Sequence, residues 1–206
     1  IGREYELMAR YIQNNMSTNA RLYTPIKELE EFTEDVDSNI VAFNNNIYIK
    51  HEGRKLERFG QSVYIKESFD NTKSIIEKLV AEAASGLQGY RDAIIAWMNE
   101  KQDVDCAEKR EILCQMFEKT HVSIIYGAAG TGKTYLINHV SQFWDSHSKL
   151  FLANTNPAVE NLRRKVKAQN CDFMTIRKYV MTRNVPINVD VLIIDECSMV
   201  SNSDMA

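Results

Sequence analysis

The sequence predicts an α/β fold: a parallel sheet carrying a phosphate-binding loop, preceded by a smaller mixed α+β region. Three observations predict it. From residue 106 onward, short apolar runs alternate with helix-period segments. A glycine-rich run at 127–134 lies between an apolar segment and an amphipathic one. An unbroken apolar run, Val191-Leu192-Ile193-Ile194, ends on two carboxylates, Asp195-Glu196. Strand–helix alternation of this kind implies parallel strands joined by right-handed crossovers.

Taken in order, the first helical segment holds Leu7, Met8, Tyr11 and Ile12. A second is expected to open at Thr24-Pro25, a cap residue followed by proline at the first helical position, and to run through Ile26, Leu29 and Phe32. The segments Ile40-Val41-Ala42-Phe43 and Ile47-Tyr48-Ile49 flank Asn44-Asn45-Asn46 and read as a hairpin, with Val63-Tyr64-Ile65 a third strand. Ile75, Ile76, Leu79, Val80 and Ala83 mark a third helix that Gly86 and Gly89 end, and Tyr90, Ala93, Ile94, Trp97 and Met98 mark a fourth. The polar residues 101–105 form the expected joint, giving an accessory domain at 1–105 and a second domain at 106–206. In the second, a helix with Ile112, Leu113, Met116 and Phe117 leads to an expected strand at 122–126. A helix carrying Leu136, Val140, Phe143 and Trp144 comes next, then a strand at 150–153 and a helix opened by Pro157 with Val159, Leu162 and Val166. The run 191–194 reads as a parallel strand covered on both faces.

With 206 residues the chain has room for one large domain or two modest ones. No apolar run reaches the roughly 18–20 residues needed to cross a bilayer, and the charged start (Arg3, Glu4, Glu6) shows no secretory signal. A cytoplasmic protein with no membrane partner is therefore expected. Cys106, Cys114, Cys171 and Cys197 are scattered without a C-x-x-C pair, so reduced thiols are expected rather than a zinc site or disulfide framework. The net charge of −3 excludes a bulk polycation, yet residues 1–105 carry −5 and residues 106–206 carry +2. An anionic ligand therefore belongs on the second half. The chain starts at Ile1, and a segment before it is expected.

Gly127-Ala128-Ala129-Gly130-Thr131-Gly132-Lys133-Thr134 fits G-x-x-x-x-G-K-[ST] in full. Triphosphate oxygens need a ring of backbone N–H donors, and a chain curled tightly enough to supply them requires small side chains. The helix starting near Lys133 points its positive end at the phosphates. Lys133 should neutralise the β- and γ-phosphates, and Thr134 should place its hydroxyl on Mg²⁺. Strand ends in parallel sheets gather ligands. Asp195 can therefore hold Mg²⁺ at the same site, while Glu196 orients and deprotonates an attacking water.

Residues 192–200, Leu-Ile-Ile-Asp-Glu-Cys-Ser-Met-Val, resemble the second motif of superfamily-1 helicases, particularly the RecD-like and Pif-like branch. Residues 153–162, Ala-Asn-Thr-Asn-Pro-Ala-Val-Glu-Asn-Leu, resemble the motif after the second strand in the same superfamily, closest to its Upf-like branch. Thr175-Ile176-Arg177 resembles the next short motif. The resemblance spans about residues 122–200 and implies a RecA-like ATPase domain in an ATP-dependent helicase or translocase. It implies ATP and Mg²⁺ as cofactors and single-stranded nucleic acid as partner, DNA rather than RNA by the Ser198-Met199 pair. Thr155, Asn156 and Thr175 would contact the strand. Where these helicases place an adenine-reading glutamine, the aligned position is Arg110, and Gln115 falls later. The family's Gly-Asp-x-x-Gln motif, second RecA-like domain and arginine finger are not among the 206 residues, so the parallel sheet is expected to be incomplete and the chain inactive alone.

A regulatory P-loop switch that governs a protein assembly without nucleic acid is the rival reading, and residues 154–161 discriminate against it. Residues 1–105 resemble no family; their acidic stretch at 28–37 could dock a protein partner or form a solvated face. The basic run Arg163-Arg164-Lys165 with Lys167 could meet phosphates or be solvated. Tyr48, Tyr64 and Phe69 suit a small core better than a base-stacking surface, and His51, His121, His139 and His147 are too dispersed to suggest a site.

Overall fold

The computed structural model describes residues 3–101, 104, 106–128, 130–182 and 189–206. Ala129 of the phosphate loop and Gln102, Asp103 and Asp105 of the expected joint lie outside the described residues. Contacts divide the chain into two compact units, Ile1–Ile76 with Met205–Ala206, and Glu77–Asp204.

In the first unit, helix α1 (Glu4–Asn19) presents Met8, Ala9 and Ile12 to a core completed by Leu29, Val36, Ile40, Leu56, Val63 and Ile65. Thr24–Pro25 does not open a helix as expected. It forms a two-residue strand, β1, paired antiparallel with β3, and the four-residue helix α2 (Ile26–Leu29) comes after it. The expected hairpin at 40–49 is also absent. Val36–Asn46 is helix α3, because Val36 and Ile40 recur at helical spacing on the core and Asp35 caps the start by accepting from the Ser38 N–H at 2.9 Å. The hairpin lies later, between β2 (Leu56–Phe59) and β3 (Ser62–Ile65), in the order β1-β3-β2. Its two-residue turn is Gly60-Gln61, and Gly60, at φ +57°, supplies the positive dihedral such turns require. Tyr64 packs 4.9 Å from Phe69 and 5.7 Å from Tyr23, ring to ring. Tyr48 is exposed beside His51.

Helix α4 (Lys66–Glu82) contains the division between the units. The second unit then begins well before the expected joint. Helix α5 (Tyr90–Lys101) places Tyr90, Ile94 and Met98 in one core with Leu113 and Cys114 of α6 (Ala107–Gln115) and Leu136 and Val140 of α7 (Lys133–Phe143). Burial of these side chains makes α5 part of the same packed body as α6 and α7.

The second unit is α/β. Its parallel sheet has the order β5-β4-β6, with β4 (Lys149–Ala153) central, β5 (Cys171–Thr175) on one side and β6 (Val191–Ile194) on the other. Helix α8 (Asn156–Lys165) links β4 to β5, and α9 (Ile176–Met181) comes directly after β5. Every residue of β4 is buried. Strand β6 is less covered than its apolar run suggests: it is an outer strand, and Leu192 is 51% exposed. The expected strand at 122–126 is not one. An apolar run becomes a strand only where a neighbouring ladder takes its N–H and C=O groups, and neither outer strand takes this one; Tyr126 is 89% exposed.

Candidate nucleotide site

Helix α7 begins immediately after Gly132, whose φ of +87° and ψ of +21° are left-handed; Gly130 has φ +81°. L side chains avoid that region, so the glycines let the loop turn tightly before α7. Lys133 folds back over this loop, its ammonium donating to the Gly127 carbonyl at 2.8 Å and the Ala128 carbonyl at 2.9 Å. Gly130, Gly132, Lys133, Thr134 and Tyr135 line a cavity of about 420 Å³. A cation held by carbonyl oxygens can exchange them for phosphate oxygens, which bind an ammonium more strongly.

The carboxylates stand at the end of β6. Asp195 continues the β6 ladder, its N–H donating to the Leu152 carbonyl at 2.9 Å. Glu196 is next, in a left-handed conformation, φ +52° and ψ +42°, with its N–H on the Asp195 carboxylate at 3.1 Å. Neither lines the loop cavity.

The parallel sheet does gather the remaining candidates. Strands β5, β4 and β6 run the same way, so Thr175, then Thr155 and Asn156, then Asp195 and Glu196 all fall at one carboxyl edge. The Asn154 amide donates to the Met199 carbonyl at 3.1 Å and ties the loop after β4 to the turn after β6. Thr155 and Thr175 have local work that the sequence did not reveal. Each is a helix N-cap, Thr155 accepting from the Ala158 N–H at 3.4 Å and Thr175 from the Lys178 N–H at 3.2 Å. A threonine before a helix-opening proline could have signalled the first.

The donor set fits a Mg²⁺–nucleotide: a loop lysine and glycine amides for phosphates, the Thr134 hydroxyl and the Asp195 carboxylate for a cation that keeps several waters. Such a loop on an α/β unit defines the class, a P-loop NTPase domain. Residues 106–206 match the family model of the AAA domain. No curated protein matches the chain. Among the described residues no helix is long and apolar enough to cross a membrane, and no cysteine is paired in a disulfide.

Proposed function

We propose that the protein is an ATP-driven helicase or translocase that moves along single-stranded nucleic acid, with DNA as its track. The observation that carries this reading is the shared carboxyl edge, where the pair Asp195-Glu196 stands beside Thr155, Asn156 and Thr175 on one rigid sheet. A hydrolytic carboxylate and a polymer-contacting loop on adjacent strands give ATP turnover a short mechanical path to the track. The Asn154 to Met199 bond joins the two loops directly. A regulatory switch has no use for the second loop.

Lys133 leaves its loop carbonyls to neutralise phosphate charge, and the amides of the loop orient the chain of phosphates for in-line attack. Mg²⁺, when bound, supplies further neutralisation, with Thr134 and Asp195 as its protein ligands. Glu196 positions a water and accepts its proton. Lys133→Ala should abolish nucleotide binding. Glu196→Gln keeps the shape but cannot take the proton, so ATP should still bind while hydrolysis falls by about 10²–10⁴-fold. The decisive measurement is steady-state phosphate release with and without single-stranded DNA or RNA. Turnover in the intact protein that ignores both polymers would defeat the helicase reading and favour the switch.

A further inference from the structure

The loop cavity has one wall that the phosphate motif does not provide. Besides Gly130, Gly132, Lys133, Thr134 and Tyr135, it is lined by Asn138 of α7 and by Lys165, the last residue of α8. Among the described residues, the cavity carries two lysines, an amide and two hydroxyls, and no carboxylate. A concave site with two cations and no acid attracts an anion of more than one charge.

Lys165 belongs to a basic run whose two arginines are engaged on their own helix and on β5. The Arg163 guanidinium pairs with Glu160 at 3.4 Å and lies 5.6 Å from the centre of the Phe173 ring. Arg164 donates through Nε to the Glu160 carbonyl at 3.3 Å. The Lys167 N–H donates to the Asn138 Oδ1 at 2.7 Å, which pins the chain leaving α8 against α7. That bond fixes the end of α8 and so brings the preceding Lys165 to the loop. Among the described residues, the Lys165 ammonium has no hydrogen-bond or ion-pair partner.

We propose that Lys165 is a second phosphate-binding cation of the nucleotide site, acting with Lys133 on the polyphosphate chain. The proposal rests on the reading of the loop as a nucleotide site and adds a ligand from a different helix. Lys133 rides on the loop, whereas Lys165 comes from α8, whose first residue is Asn156 at the sheet's carboxyl edge. Phosphate engagement by Lys165 would therefore place nucleotide charge at one end of the helix that starts at the proposed polymer contact.

Equilibrium binding of fluorescent ATP, with inorganic tripolyphosphate as competitor, tests this in the intact protein. An exposed charge-assisted hydrogen bond to phosphate corresponds to roughly a 10-fold affinity change. Lys165→Ala and Lys165→Gln should each weaken both ligands by about that factor, Lys165→Arg should restore most of it, and thermal melting of all three should match the parent. The weakened variants should also show a shallower dependence of binding on salt. Parent-like affinity in Lys165→Ala, with binding lost in Lys133→Ala, would overturn the role of Lys165 and leave the loop's role intact. A parent protein that binds neither probe would overturn both.

Discussion

Glu196 combines a proposed catalytic role with a backbone conformation that its residue type disfavours. Its φ of +52° puts Cβ close to the following carbonyl, at about 1–2 kcal/mol for an L-residue. Such strain persists where surrounding structure over-determines it; here the Asp195 N–H is held by Leu152 and the Met199 N–H donates back to the Glu196 carbonyl at 2.9 Å. Glu196→Gly should therefore be at least as stable as the parent toward urea, although it removes the proposed base. Glu196→Val should be less stable than Glu196→Gly by about 1–2 kcal/mol. Equal midpoints for the two would show that the backbone there relaxes freely. Gly86 poses the opposite constraint. A Cβ at that position would collide with the backbone of Glu118 and Lys119, where the Leu87 N–H also meets the Phe117 carbonyl at 2.9 Å. Gly86→Ala should lower stability by about 1–3 kcal/mol, measured by the same urea unfolding.

Elements are held by caps and clamps at their ends. Because Thr155 caps α8, its loss mixes helix fraying with any loss of polymer contact. Thr155→Ala should cost about 1 kcal/mol of stability and Thr155→Ser much less. Asn156→Ala, which leaves the cap in place, is the cleaner probe: nucleic-acid stimulation of the ATPase should fall without a stability change. Strands β4 and β6 are clamped where they begin. The Asp190 carboxylate accepts from the Ser148 hydroxyl at 2.7 Å and the Ser148 N–H at 2.8 Å. These bonds, the hydroxyl's first, hold the carboxyl below its ordinary value of 3.8. A group with a lowered folded value contributes stability that is fully present above 3.8 and disappears as pH falls through the lower folded value. Asp190→Asn should flatten the acid limb of a stability–pH curve below pH 3.8 and leave its neutral arm parallel to the parent's. A variant curve that still tracks the parent below that pH would place the acid sensitivity elsewhere.

At the scale of the molecule, the family match begins at residue 106, but the packed core does not. A chain beginning at residue 106 would lose Tyr90, Ile94 and Met98, all nearly fully buried against Leu113, Leu136 and Val140. Truncating one such side chain costs about 2–5 kcal/mol, comparable with the whole stability of a domain. The 106–206 chain should therefore aggregate or melt without a cooperative transition, whereas 77–206 should melt cooperatively by calorimetry. A well-folded 106–206 would show that α5 is dispensable to the core around α7.

By itself the sequence determined the parts whose chemistry is local. The phosphate loop needs small residues and a lysine in a fixed order, and helix α7 arises from the 3.6-residue spacing of Leu136, Val140 and Phe143. Strand β6 and its terminal Asp195-Glu196 were legible as an apolar run that stops on carboxylates. The tertiary structure decided whatever depends on a distant partner. Ile40 to Ile49 holds short apolar runs that suit strands, yet Ile40 meets α1 and the first sheet only if 36–46 is helical. Residues 122–126 are rich in β-branched residues (Val122, Ile124, Ile125) but acquire no ladder, because strand formation requires a neighbour's hydrogen bonds as well as β propensity. Lys149 opens β4 and is of a residue type seldom fully buried. It is 1% exposed, its ammonium donating to the Trp144 and His147 carbonyls, each at 2.7 Å, where α7 ends. Lys165 is one charge among four in the sequence, and the packing of α8 beside α7 is what brings it to the loop. Local rules govern a turn and a helix period; burial and hydrogen bonding across the chain govern which of several equally charged or equally apolar residues is used.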